Sequence, residues 1–348
     1  MPDTLHRAFQ PDGKSCFVIG EIGVNHNGDL DLAKQMIDVA VKAGADAVKF
    51  QTFAAERLVT RTAQKADYQS RNHKVDESQF DMLKKLELSE ADLRGCKTYC
   101  DTVGMIFLST PFDEQAADLL EKVGVQGFKL SSGDLTNLPL LRHIAAKGKP
   151  MIISTGMANM SEIEDAVTAI QRAGDPELAI LHCVSDYPAK ASEANLAAMD
   201  TISKAFGKIA GWSDHTLGDA ISVAAVARGA RLIEKHFTLD VNMEGPDHKA
   251  SLSPKEFSDL VAKIRRVEVA IGDGVKRPQP SEIPTAAVAR RSIVSARDIK
   301  TGETISENDL IMKRPGTGLA PKYISWVTGR KAAIDIAADT LISLTDLG

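Results

Sequence analysis

Two histidines raise the first chemical question. His215 closes the run KIAGWSDH (208–215) and His236 sits in LIEKHFT (232–238), both short apolar stretches that turn polar at their ends. Imidazole suits Mn, Fe, Co or Zn, and two imidazoles with a carboxylate and open positions can form a Lewis-acid centre that polarises a carbonyl or activates water. Two hydrogen-bonded core histidines are the structural alternative. A second set joins Lys49 and Lys129 to the hydroxyls of Thr110, Ser132, Ser154 and Ser213. A small phosphorylated anion needs this combination, cations for its charge and donors for its oxygens. Singly each lysine reads as a surface ion pair, and jointly they read as an anion site. The stretch RLIEKHFTLD (231–240) poses the problem most sharply, because Glu234, Lys235 and His236 interrupt a run that otherwise looks buried. Burying such charges without partners is costly, so they need exposure, partners or a ligand.

The elements that must position these groups recur along the chain. Eight β-rich runs, at 16–23, 47–52, 105–112, 127–133, 151–156, 178–183, 208–215 and 232–238, alternate with segments whose apolar residues fall three and four apart. That alternation predicts an α/β (β/α)8 TIM barrel, because an open doubly wound sheet would need a glycine-rich phosphate turn after its first strand. In a barrel the carboxyl ends of the strands face one cup. The residues expected there are Glu21, Asn25, His26, Lys49, Gln51, Ser109, Thr110, Lys129, Ser132, Asp134, Ser154, Thr155, His182, Ser185, Ser213, Asp214, His215, Glu234, His236 and Thr238. Strand alternation sends Glu234 and His236 to one side and Lys235 to the other. Glu234 is then expected one layer beneath His236, orienting a ligand or a lysine, with Lys235 snorkelling outward among helices. NMEGPDHKAS (242–251) brings Asp247 and His248 over the same face, as acid, base, support or plain turn.

Punctuation is clear elsewhere. SEIE (161–164) reads as a capping box with Ser161 as cap, and SPKE (253–256) repeats it with Pro254 at the first helical position. The long 53–88 segment occupies a βα position and is expected to form a lid or substrate loop. Residues 1–271 form the expected barrel domain, the Gly- and Pro-rich 272–289 stretch a linker, and 290–348 a small second domain with four β-like runs. The 348 residues carry 26% charged side chains and a net charge of −5, without a long Lys/Arg block, which excludes a nucleic-acid or anionic-membrane footprint. The apolar runs are too short for a membrane span or signal peptide, so a cytoplasmic protein is expected. Cys16, Cys96, Cys100 and Cys183 form no Cys-x-x-Cys pair and read as reduced core thiols.

The ordered motifs EIGVNHNG, VKFQTF, FLSTPFD, KLSSGDLTNLPLL, IISTGMA, LHCVSDYPA, GWSDHT, EKHFTLD, GPDHKAS and KRPGTG span nearly the whole chain. In these the sequence resembles the phosphoenolpyruvate-dependent sialic acid (nonulosonic acid) synthases. The resemblance implies a barrel followed by a small antifreeze-like SAF domain, in a domain-swapped homodimer. It implies condensation of phosphoenolpyruvate with the open-chain aldehyde of an N-acetylated hexosamine, with C–O cleavage and release of phosphate. It places a divalent metal, usually Mn2+ with Mg2+ or Co2+ as alternatives, on His215 and His236. It places phosphoenolpyruvate on Lys49, Thr110, Lys129, Ser132, Ser154 and Ser213. The sugar falls to Glu21, Gln51, Tyr187 and Asp247, with Arg314 reaching in from the partner's small domain. Asp134 stands where the family commonly has a Glu proposed as acid/base, which shortens its reach. Ser185 and Lys190 also depart from the family pattern, on the sugar side. VKFQTF, AQKADYQ and EKHFTLDVNMEGPDHKAS look more like the branch containing the N,N'-diacetyllegionaminate synthases, which favours 2,4-diacetamido-2,4,6-trideoxymannose over N-acetylmannosamine. Two other classes compete: a Schiff-base aldolase using Lys129, and a sugar-binding protein whose barrel is a relic.

Overall fold

The computed structural model describes residues 5–10, 15–65 and 77–348 and divides into two compact units, Met1–Gly272 and Asp273–Gly348. In the first unit the eight expected runs all become parallel strands. They are β1 (Phe17–Gly23), β2 (Ala47–Thr52), β3 (Ile106–Pro111), β4 (Phe128–Leu130), β5 (Met151–Ser154), β6 (Leu178–Cys183), β7 (Ile209–Asp214) and β8 (Leu232–His236). The hydrogen-bonded order runs β3-β2-β1-β8-β7-β6-β5-β4, and β3 lies against β4, so the sheet wraps into a barrel.

Helices return the chain between strands: α1 (Leu30–Ala43), α2 (Ala55–Leu58), α3 (Gln79–Leu86), α4 (Glu90–Val103), α5 (Glu114–Val123), α6 (Leu138–Ala145), α7 (Met160–Ala173), α8 (Ala197–Phe206), α9 (Ala220–Ala227) and α10 (Pro254–Ile271). Their ends follow local chemistry. Ser253 and Glu256 cap α10 reciprocally, with Pro254 in the first turn. On α7 the expected cap is displaced, because Asn159 accepts from the Ser161 and Glu162 amides while Glu162 closes the box. A carboxamide two residues upstream offered the same chemistry as Ser161, and the helix begins there instead. Gly44, Gly104 and Gly124 end α1, α4 and α5 in left-handed backbone, where a side chain would be strained.

The pleat sorts side chains into two cores. Val18, Val48, Phe107, Phe128, Ile153, Ile180, Trp212 and Ile233 face the helices. Phe17, Ile19, Ala47, Leu108, Ile152, Leu181 and Leu232 fill the barrel interior. Leu5, Ala8 and Phe9, in a short 3-10 turn, join that inner core and close its floor. The interior is therefore packed and apolar below, and only its upper layers are polar.

In the second unit, α11 (Glu282–Ala289) lies inside the stretch expected to be a linker, where TAAVA supplies good helix formers. β9 (Ser292–Ser295) pairs antiparallel with β10 (Leu310–Lys313). The other two β-like runs make only isolated bridges, such as Val294 with Leu341 and Ile299 with Ile336. Ile293, Ile299, Ile305, Val327, Ala332, Ile336 and Ile342 form this unit's own core.

Candidate active site

Above the apolar floor, the strands of the barrel contribute inward polar side chains in register. Lys49 on β2 stands beside Glu21 on β1, Glu21 beside His236 on β8, and Ser213 on β7 beside Glu234. All are buried, so the layer must satisfy itself. Lys49 Nζ pairs with Glu21 at 2.9 Å, lies 4.0 Å from Glu234 and donates to Thr110 Oγ1 at 3.0 Å. Lys129 Nζ lies 3.4 Å from Glu234 and donates to Ser154 Oγ at 2.7 Å and to the Leu130 carbonyl. Ser213 Oγ donates to Glu234 at 2.9 Å, and Gln51 donates to Glu21 at 3.2 Å. Two ammonium groups thus face two carboxylates. Glu234 braces the lysines from the layer beneath His236.

Burial and charge set the protonation states of this layer. Burial opposes the Glu234 carboxylate, but Lys129, Lys49 and the Ser213 hydroxyl overcome it and hold its pKa low. For Glu21 burial dominates, Lys49 opposes it and Glu234 adds to it, and the pKa rises. Burial also pulls the Lys129 pKa down, whereas Glu21 and Glu234 outweigh burial at Lys49 and raise it. The Asp247 carboxyl is pushed up to about 6 by burial, against His215 and Lys49, so it exchanges a proton near neutrality.

These groups line one cavity of about 550 Å³. Glu21, Lys49, Gln51, Thr110, Lys129, Ser132, Ser154, Tyr187, Ser213, His215, Glu234, His236 and Asp247 all border it, as do Ser185 and Cys183. Gly156 allows this closeness, since a β-carbon there would collide with the Ser132 and Ser185 hydroxyls. The Tyr187 ring lies 4.0 Å from the His215 ring, centroid to centroid, and edge-on to His236 at 5.6 Å.

Several residues expected in the cup are not there. Asn25, His26, Ser109, Thr155, His182, Asp214 and Thr238 sit on the outward side of the pleat or beyond it and do not line the cavity. His182, for instance, pairs with the Ala194 carbonyl and packs on Trp212. Asp134 is also absent from the lining. Its carboxylate accepts from Ser131 Oγ at 2.6 Å and from Asn137, closing its own turn, while burial raises its pKa. Arg314 stands exposed at the end of β10 in the second unit. Lys235 does not snorkel. It is fully buried, 3.0 Å from Asp214, and donates to the Thr216 carbonyl.

Cys183 is the main omission of the sequence reading. It follows Leu181 by one inward step of β6 and places its sulfur 3.7 Å from His215 Nδ1. Strand periodicity alone carried that signal.

The donor set fits a divalent cation. His236 is buried with Nδ1 unpartnered, and burial, His215 and Lys49 hold its pKa well below the usual value, leaving a neutral imidazole. His215 Nδ1 lies 2.7 Å from the Val184 carbonyl, which selects the tautomer with a free Nε2. The described residues contain no cluster of three or more His, Cys, Asp or Glu donors, so oxygens from substrate or water would complete the coordination.

The loop carrying Asp247 is anchored from the turn that follows β1. Asn25 donates to the Phe237 carbonyl and to Ser251 Oγ, which in turn donates to the Asp247 carbonyl at 2.7 Å. His248 pairs with Thr238 and lies 3.3 Å from Asn27, so it serves the loop and not the cavity. The adjacent His26 has its pKa pushed down to about 4 by burial. Its unfolded counterpart takes up a proton near pH 6.5, so stability is lost as pH falls from about 6.5 towards 4. The loss reaches about 3 kcal/mol. Stability from urea unfolding should fall by about 2 kcal/mol between pH 7 and pH 5, and this drop should shrink in His26→Gln.

A family model described as the NeuB family matches residues 36–276, and a SAF-domain model matches residues 290–348. The chain belongs to the NeuB family. This NeuB-family chain is 46% identical to the N,N'-diacetyllegionaminic acid synthase of Legionella pneumophila over 96% of both chains. It is also 46% identical to the enzyme of that name from Campylobacter jejuni, over 94% of this chain and 99% of the relative. Among solved structures it is similar to the N-acetylneuraminic acid (sialic acid) synthetase of Leptospira borgpetersenii. That similarity has a TM-score of 0.69 and 35% identity, over 78% of this chain and 91% of the other. The NeuB-family barrel followed by a SAF domain is the architecture expected from the motifs. No helix among the described residues is long and apolar enough to cross a membrane.

Proposed function

We propose that the chain condenses phosphoenolpyruvate with open-chain 2,4-diacetamido-2,4,6-trideoxymannose and water, giving N,N'-diacetyllegionaminate and phosphate. One observation carries the reading: two buried lysines and a ring of hydroxyls share a single cavity with two adjacent imidazoles. The 46% identity to two N,N'-diacetyllegionaminic acid synthases favours this sugar over N-acetylmannosamine, since the N-acetylneuraminic acid synthetase of Leptospira borgpetersenii is 35% identical.

Lys49 and Lys129, with Thr110, Ser132, Ser154 and Ser213, bind the phosphate and carboxylate of phosphoenolpyruvate. Their hydrogen bonds to Glu21, Glu234 and one another's hydroxyls fix them before substrate arrives, which lowers the cost of reorganisation. The enol carbon then adds to the aldehyde carbon, water adds to the resulting cationic centre, and the tetrahedral product breaks its C–O bond to phosphate. A Mn2+ ion held by His215 and His236, with Mg2+ or Co2+ as alternatives, would supply a Lewis acid for the aldehyde oxygen. Gln51, Glu21 and Tyr187 orient the sugar at near-attack distance. Asp247, with its carboxyl near neutrality, moves the proton at the sugar. Asp134 is the weaker candidate for that step because its turn already uses its carboxylate. Four buried thiols suit a reducing cytoplasm. In the proposed domain-swapped homodimer, Arg314 of the partner completes the sugar site.

Supplying phosphoenolpyruvate, a divalent metal and each sugar in turn, and measuring phosphate, tests the reading. Release is expected with the diacetamido sugar and should cease with chelator. Turnover of N-acetylmannosamine alone would overturn the sugar assignment, and a borohydride-trapped adduct on Lys129 would replace it with Schiff-base chemistry.

A further inference from the structure

The cavity has two unlike kinds of lining. Besides the lysines and hydroxyls it is bordered by an apolar set: Leu58 and Val59 at the end of α2, and Met82, Leu83 and Leu86 on α3. The α3 residues at 79, 82, 83 and 86 follow helical spacing, and all four border the cavity. The stripe that would ordinarily seal a helix onto a core therefore faces substrate space. The remaining area of these side chains packs with Val24, Phe53 and Ala55 in a cluster separate from the barrel core. Asp81, Lys84 and Lys85 occupy the exposed side of α3, which fixes the helix's orientation.

We propose that this wall, built from Leu58, Val59, Met82, Leu83 and Leu86, selects the sugar by taking its 6-methyl group and the methyl of its 4-acetamido group. The inference rests on the condensation reading above and adds the residues that set its specificity. A 2,4-diacetamido-2,4,6-trideoxy sugar differs from N-acetylmannosamine in that a methyl replaces the 6-hydroxymethyl and an acetamido group replaces the 4-hydroxyl. Against leucine and methionine the hydroxyls of N-acetylmannosamine would lose water without gaining a partner, whereas the two methyl groups gain contact. Each such difference is worth about 10- to 100-fold in kcat/KM.

Val59→Thr and Met82→Gln keep side-chain size while adding polarity to the wall. The measurement is the ratio of kcat/KM for the diacetamido sugar to that for N-acetylmannosamine, together with the KM for phosphoenolpyruvate. The ratio is expected to fall about tenfold or more in each variant, with the phosphoenolpyruvate KM held. A wild type that prefers the diacetamido sugar while both variants keep its ratio would overturn the wall's role and leave the reaction standing. Equal losses on both sugars together with a raised phosphoenolpyruvate KM would also overturn it, because they would mark a general disturbance. A wild type confined to N-acetylmannosamine would overturn the substrate reading itself, and the wall's role with it.

Discussion

His236→Ala should lower turnover by at least about 10³-fold while leaving the barrel folded. The side chain ends the last barrel strand, is buried, and leaves Nδ1 without a partner, so its removal strands no protein donor. What is lost structurally is the edge contact with Tyr187 and the tilted contact with His215, worth about 1 kcal/mol each at most. Urea midpoint and circular dichroism should therefore stay near wild type. Bound Mn2+, measured by elemental analysis after desalting, should fall with activity. Retained turnover, or full metal occupancy in a dead variant, would show that His236 has no part in holding a cation. The result would also separate the enzyme from a sugar-binding relic, for which this substitution should be silent.

The barrel was legible in the sequence because its signal is repeated eight times: each β-rich run is followed by a helical period, and no single misreading could hide the alternation. The lysine and hydroxyl layer was legible for a related reason, since strand ends in a barrel converge whatever the loops do. Errors arose where one residue of phase decides the outcome. Listing every polar residue near a strand end placed Asp214 and His182 in the cup, although their inward neighbours Ser213, His215 and Cys183 hold those places. Residue type alone makes Cys183 a core thiol, whereas its pleat position, two residues after Leu181 on β6, points it into the cavity. The apolar wall of the cavity is legible only as a lid or substrate loop over 53–88, because an amphipathic stripe does not announce which of its residues face a core and which a ligand. Part of that segment, 66–76, including most of AQKADYQ, lies outside the described residues. Arg314 depends on a partner chain, which a single sequence specifies only through resemblance.

Lys235→Met should destabilise the protein by about 3 kcal/mol, although the residue never touches the cavity. Lys235 and Asp214 face each other across the β7–β8 ladder and are almost completely excluded from water. Asp214 is satisfied on every side: it accepts from Thr216 N at 2.8 Å, Thr216 Oγ1 at 2.7 Å and Ser222 Oγ at 2.6 Å, with Lys235 Nζ 3.0 Å away. Those donors survive Lys235→Met, which keeps the loss at the lower end for breaking a buried pair. Asp214→Leu removes all of them and leaves an ammonium with only the Thr216 carbonyl, so it should cost more, about 5 kcal/mol. The double variant should be better than the sum by at least about 1 kcal/mol, because an apolar pair has no stranded charge. Each member of this pair is flanked by two residues of the site, Asp214 by Ser213 and His215 at the end of β7 and Lys235 by Glu234 and His236 on β8. Slackening their register should therefore weaken Mn2+ binding in either single variant. A cycle of urea midpoints paired with Mn2+ titrations tests both statements. Additive losses with unchanged metal affinity would reduce the pair to two independent core residues. Coupled losses with weakened metal binding would show that Lys235, between Glu234 and His236 in the 231–240 stretch, works by holding both of them in place.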